Sequence, residues 1–177
     1  MATALIAQHG FHNVTIQQIA DACGIVKTAV IRHFPSKPDI LVAVLETRDA
    51  EDAAAAGFDI HHDPQTREAF FESLDRTVQH NFERRELLRL YTVLGAESLN
   101  ADHPAHDYFL RRQQTSIAAI RDAAKTCHPD PEAFAVELLS FLDGLQLNWL
   151  RDPAIDPLAA WKDFSSRAIA ASPTEKE

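Results

Sequence analysis

Two helix starts and a glycine stop, set within the stretch from Thr15 to Asp39, constrain this chain more than any other feature. Thr15 with Gln18 three residues on forms a capping box, in which each side chain takes the other residue's unpaired amide. Ile16, Ile19 and Ala20 give the helix that follows an inward face. Cys23 and Gly24 end it, Gly24 offering the positive φ of a sharp turn and Cys23 reading as a small core residue. A second helix is expected from about Lys27 to His33, with Val30 and Phe34 pointing inward beside Ile25 and Ile19. Pro35 stops it. Ser36 then caps a further helix, with Asp39 in the reciprocal position and Pro38 in the first turn. Ile40, Leu41, Val44 and Leu45 form its buried stripe. A short helix over residues 2–9, with Leu5 and Ile6 as its apolar contact and Gly10 as a left-handed stop, precedes the set. The order is helix, helix, tight turn, helix, loop, helix.

The cations fall where that order makes them useful. The chain carries a net charge of −9, which argues against a protein coated with nucleic acid along its length. Within residues 1–48, however, Lys27, Arg32, Lys37 and Arg48 face Asp21, Asp39 and Glu46, a net +1 that leaves −10 for the remainder. A cationic tip on an anionic body attracts phosphate and orients the tip toward it. A short helix flanked by such cations suits the DNA major groove.

The segment Gly24–Leu41, GIVKTAVIRHFPSKPDIL, with TIQQIADACG ahead of it, resembles the tetracycline-repressor (TetR) family of bacterial transcription regulators. The resemblance is carried by about forty residues and continues as helix pattern alone. It implies that Thr15 caps the second helix and touches a phosphate, and that Lys27, Thr28 and Ala29 reach base edges. It implies that His33 and Lys37 grip the DNA backbone and that Arg32 contacts phosphate. Ser36 and Ile31 complete the expected DNA-binding set. Val26 stands where the family usually has a capping Ser or Thr, at a cost to the recognition helix of roughly 1 kcal/mol. Ile31 stands where it usually has Tyr, without the hydroxyl that would bond a phosphate.

The rest reads as all-α. Apolar residues make up 46% of the chain, helix formers dominate, and no two-residue alternation marks a strand. Composition shifts over residues 50–64, so residues 1–48 are expected to be a helix-turn-helix DNA-binding domain. Residues 49–177 are expected to be a larger helical effector-binding and dimerisation domain. Phe70, Leu74, Val78 and Phe82 recur on one helical face. Leu87, Leu88, Tyr91, Leu94 and Leu99 suggest another helix, and Tyr108, Phe109, Ile117 and Ile120 a third from about His106 to Cys127. From Pro131 to Arg151 the apolar character spreads around the helix beyond one stripe, so the helix needs cover on more than one face. A second subunit supplies that cover economically. Phe134, Leu138, Ser140, Gly144 and Asn148, with Trp161 and Phe164 of a last helix, are the expected homodimer interface. In the resembled family the last two long helices pair about a two-fold axis. That symmetry would set two recognition helices roughly 34 Å apart on a palindromic operator.

Phe70, Leu74, Tyr91, Leu94, Phe109, Phe141 and Gln146 are the candidate lining for a small, largely apolar effector. For any one of them, plain core packing is the competing reading. Cys23 and Cys127 form no Cys-x-x-Cys pair, and no apolar run has membrane-spanning length, so a soluble cytoplasmic protein with reduced thiols is expected. No phosphate loop, nucleophile elbow or His-Glu-x-x-His is present, which argues against an enzyme. No cofactor is implied. The clusters His61–His62–Asp63 and His103–His106–Asp107 raise metal sensing as a rival, weakened because adjacent imidazoles diverge and no thiolate joins them. A dimeric helical protein that binds a small molecule or metal, with weak or lost DNA binding, is the alternative.

Overall fold

The computed structural model describes residues 2–11, 13–56, 66–126 and 128–171. Among these residues the chain is all helical. Its helices are α1 (Ala2–His9), α2 (Ile16–Cys23), α3 (Lys27–His33), α4 (Lys37–Ala56), α5 (Arg67–Phe82), α6 (Arg85–Glu97), α7 (His106–Ala124), α8 (Pro131–Arg151) and α9 (Pro157–Ala171). No described helix is long and apolar enough to cross a membrane. The expected loop with His61, His62 and Asp63, as well as Cys127 and the tail after Ala171, lie outside the described residues.

The early signals fold as the local chemistry dictates. The Gln18 amide donates to Thr15 Oγ1 at 3.2 Å and the Thr15 amide to Gln18 Oε1 at 2.8 Å, completing the capping box. Val14 before the cap and Ile19 in the first full turn are both buried in one cluster, the pair that makes a hydrophobic staple. Gly24 sits at φ 69°, with its amide bonded to Asp21 O and the Ile25 amide to Ala20 O, a Schellman closure. Ser36 and Asp39 exchange bonds in the same sense as the first capping box, the Ser36 amide to Asp39 Oδ2 at 2.9 Å and the Asp39 amide to Ser36 Oγ at 3.4 Å.

Three side chains differ from expectation. Cys23 is exposed and Ile25 is 49% exposed, because Cys23 ends α2 and Ile25 lies on the turn after it, where the closure draws backbone rather than side chains inward. Leu99 is 84% exposed: α6 ends at Glu97, so Leu99 lies in the following turn and off the helical face.

The chain divides into two compact units, residues 1–54 with 85–110, and residues 55–84 with 111–177. The first is larger than the 1–48 module read from sequence. Leu90, Leu94, Ala105 and Tyr108 share one core cluster with Ile6, Val14, Ile19, Val30, Leu41 and Leu45, so α6 and the start of α7 complete the core of the N-terminal helices. Within that unit α1 packs on α6 and α2, and α2 on α3.

In the second unit α9 packs on α5 and α8. Phe70, Leu74, Val78 and Phe82 are buried as the spacing predicts. Phe134 meets Phe70 and Phe71 edge-on, with ring centroids 6.1 and 6.2 Å apart. Phe141 stacks on Phe164 at 4.1 Å, and Trp161 Nε1 donates to Asp75 Oδ1 at 2.6 Å, tying α9 to α5.

Candidate nucleic-acid interface

Helix α3 buries little of itself. Val30 is its buried residue, and the opposite side carries Lys27, Thr28, Ile31 and Arg32, all exposed. These fall as two pairs four residues apart, Lys27 with Ile31 and Thr28 with Arg32, so they form one continuous outer face. His33 is exposed and Ala29 half-buried. The helix opens at Val26 with no side-chain cap, as its sequence implies.

The remaining expected contacts frame this helix within the first unit. Thr15 is exposed at the start of α2, with its hydroxyl donating to Gln18 Oε1 at 2.9 Å while it caps Gln18. Ser36 and Lys37 are half-buried at the start of α4. Lys37 Nζ stands 4.5 Å from the centre of the Phe11 ring, a cation–π contact that restricts the swing of a flexible side chain. Phe11 is not among the residues that sequence reasoning singles out, and the only signal for it is an aromatic residue close ahead of the cap. Two nearby carboxylates are engaged locally, Asp39 by Ser36 and Asp21 by Gln17 Nε2 at 2.7 Å. All nine residues expected at DNA thus belong to one compact unit, and the outer face of α3 is cationic and partly apolar.

The seven candidate effector-lining residues divide between the units. Tyr91, Leu94 and Phe109 fall in the first, and Phe70, Leu74, Phe141 and Gln146 in the second. Tyr91 edges against Phe109 at 6.1 Å, and its hydroxyl donates to Leu45 O and Asp49 Oδ1, each at 3.1 Å. Tyr108 donates to the other oxygen of the same carboxylate. Phe70 and Leu74 are buried, while Phe141 and Gln146 are half-buried. A cleft of about 290 Å³ opens between α1 and α6, floored by Ile6, Phe11, Leu90 and Leu94 and rimmed by His9, Arg89 and Glu97. Leu94 is the one candidate effector residue that lines it.

The interface candidates also sort by exposure. Phe134, Leu138 and Trp161 are buried inside the second unit, and Phe164 is half-buried against Phe141. On α8 Ser140, on the side away from these core residues, and Asn148, beside their stripe, are both exposed, with Gly144 between them. A Cβ added at Gly144 would meet nothing within 4 Å. Val136 and Leu147, 50% and 37% exposed, lie on the Ser140 side. Among the described residues no group of three or more His, Cys, Asp or Glu is placed to hold a metal ion. His103 and His106 each use a ring nitrogen on backbone: His103 Nδ1 accepts from the Ala105 amide at 3.2 Å, and His106 Nδ1 donates to Ser98 O at 2.7 Å.

Residues 1–44 match the family model for bacterial regulatory proteins of the tetR family. No curated protein matches the chain in sequence. Several solved structures match its fold. A transcriptional regulator from Rhodococcus sp. Rha1 is 17% identical, with a TM-score of 0.78 over 98% of this chain and 95% of that one. A choline-bound protein from Saccharomonospora viridis, assigned as a transcriptional regulator, is 23% identical, with a TM-score of 0.72 over 98% and 94%. NalD of Pseudomonas aeruginosa, the secondary repressor of the MexAB-OprM multidrug efflux pump, is 19% identical, with a TM-score of 0.68 over 99% and 93%.

Proposed function

We propose that this chain, a tetR-family protein by its first 44 residues, is a homodimeric, ligand-responsive DNA-binding regulator that acts as a repressor. The observation that carries the reading is the outer face of α3, where Lys27, Thr28, Ile31 and Arg32 stand exposed beside His33. A short helix presented in this way, after a capped α2 and a positive-φ glycine turn, has the form of a major-groove reader. Thr15, Ser36 and Lys37 flank it as backbone contacts, with Ala29 close enough to the helix start to let bases approach. The +1 charge of residues 1–48 within a −9 chain supports electrostatic docking by this end.

The regulatory part of the proposal rests on the second unit and on α6. A homodimer formed through α8 and α9, with Phe134, Leu138, Ser140, Gly144, Asn148, Trp161 and Phe164 as its interface set, presents two copies of α3 to a palindromic operator. A small, largely apolar effector bound within one unit, at Phe70, Leu74, Phe141 and Gln146 of the second or at Tyr91, Leu94 and Phe109 of the first, favours a spacing of the two heads that no longer fits the grooves. The choline-bound relative supports ligand binding on this fold, and the efflux-pump repressor supports the sign of regulation. The reading places the protein in the cytoplasm, where DNA is. The test is a mobility shift at rising salt against a random duplex library. Retained duplex that dissociates with a steep salt slope supports the function. A dimer that binds no duplex at low ionic strength favours the alternative of a helical ligand-binding protein without DNA contact.

A further inference from the structure

Among the described residues nine large hydrophobic side chains are exposed, and three of them, Ile25, Val26 and Ile31, fall within seven consecutive residues. Single exposed apolar residues are ordinary on a protein surface. A concentration of this kind on and just ahead of a seven-residue helix calls for a partner with apolar groups among its polar ones. The neighbours define that partner. Ile31 lies one turn from Lys27 and Thr28 and directly precedes Arg32, so its exposed carbons sit among cations. Val26, 67% exposed, stands at the tip of the same helix without making a cap.

A partner that is anionic overall yet offers isolated methyl groups at its recognised edge is thymine-containing duplex DNA. In the major groove each thymine presents a C5-methyl beside its O4 acceptor, and apolar side chains read that methyl. We infer that Ile31 and Val26 are specificity-determining residues that select thymine through its methyl group, while Arg32 and Lys37 supply affinity without sequence preference. This rests on the DNA-binding reading above and assigns to the departures at Val26 and Ile31 a role in the choice of sequence.

The test does not require the operator to be known. Duplexes are first selected from a random library with the full-length protein. Each thymine of the selected site is then replaced by deoxyuridine, which keeps the base pair and removes only the methyl. The expected result is a loss of about 3–5-fold in affinity at one or more symmetry-related pairs of positions, the worth of one buried methyl. Ile31→Ala or Val26→Ala should lower affinity for the thymine site by a similar factor and bind the thymine and deoxyuridine duplexes equally at the position that side chain reads. Circular dichroism melting checks that each variant keeps its fold, which two exposed positions allow. Equal binding of every deoxyuridine duplex, or undiminished deoxyuridine sensitivity in both variants, overturns the inference while leaving DNA binding intact. Failure to retain any duplex at low salt overturns the DNA-binding reading itself, and this inference with it.

Discussion

Tyr108 and Asp49 are joined by a short hydrogen bond, the tyrosine hydroxyl donating to a carboxylate that also receives the hydroxyl of Tyr91. One acid from α4 thereby holds an aromatic residue from α6 and another from α7, all within the first compact unit. Burial first, and then the bond to Asp49, push the Tyr108 hydroxyl far above the ordinary tyrosine range. Tyr108→Phe removes a donor from a charged acceptor, and the expected cost is about 1.5–3 kcal/mol in chemical denaturation.

The same pair sets a pH dependence with a definite sign. Because the folded protein holds the Tyr108 proton more tightly than the unfolded chain does, its stabilisation is complete below the unfolded value near 10. It declines as pH rises past that point. Stability should therefore fall with a steeper slope above about pH 10 in the native protein than in Tyr108→Phe. Denaturant titrations at several alkaline pH values read the two slopes; parallel curves would refute the assignment.

The helix caps give a contrast of opposite signs. Thr15→Ala opens the capping box of α2 and should cost about 1 kcal/mol. Val26→Thr supplies the side-chain acceptor that α3 lacks and should add about 0.5–1 kcal/mol. Thermal melts of the two variants should move in opposite directions. If the methyl reading of Val26 is correct, the steadier Val26→Thr protein also binds its selected duplex differently.

Backbone contacts are separable from base contacts by salt. Lys37→Ala removes a cation held over Phe11, and it should weaken binding to all sequences alike. The log–log salt slope should shallow by about 0.9 for each phosphate that is no longer neutralised. His33→Ala should lower affinity for all sequences alike, read as a uniform loss rather than as a change of slope. An unchanged slope for Lys37→Ala and undiminished affinity for His33→Ala would remove these residues from the interface.

The proposed self-association face of α8 can be tested by charge. Leu147→Glu places a carboxylate on a surface that carries Ser140, Gly144 and Val136. Light scattering should show a halved mass with undiminished helix content. A dimer that persists through this change and through Ser140→Arg would place the subunit contact elsewhere.

The first fifty residues are legible in the sequence because their signals are local. A capping box, a glycine at positive φ and a proline stop each act within a few residues, so Thr15, Gly24 and Ser36 take their expected places whatever the rest of the chain does. The bounds of α8 are readable for the same reason, from Pro131 at its start to the end of its apolar run at Arg151. Periodicity says that Tyr91 and Leu94 face inward, but not that they complete the core of the N-terminal helices. That grouping depends on contacts across more than forty residues, such as Tyr91 with Leu45. Nor does pattern alone divide the apolar excess of α8 into Phe134 and Leu138, which the chain covers by itself, and Val136 and Leu147, which it leaves open. Aromatic spacing marks burial well and function poorly: the Tyr91 hydroxyl, a candidate anchor for a ligand, is engaged by Leu45 and Asp49.

Lys37 and Asp49 stand on one uninterrupted helix, α4, about 18 Å apart at 1.5 Å per residue. Between them Ile40, Leu41 and Leu45 are buried in the core of the first unit, so the segment that joins the cation to the tyrosine-bound acid is clamped along its length rather than loose at one end.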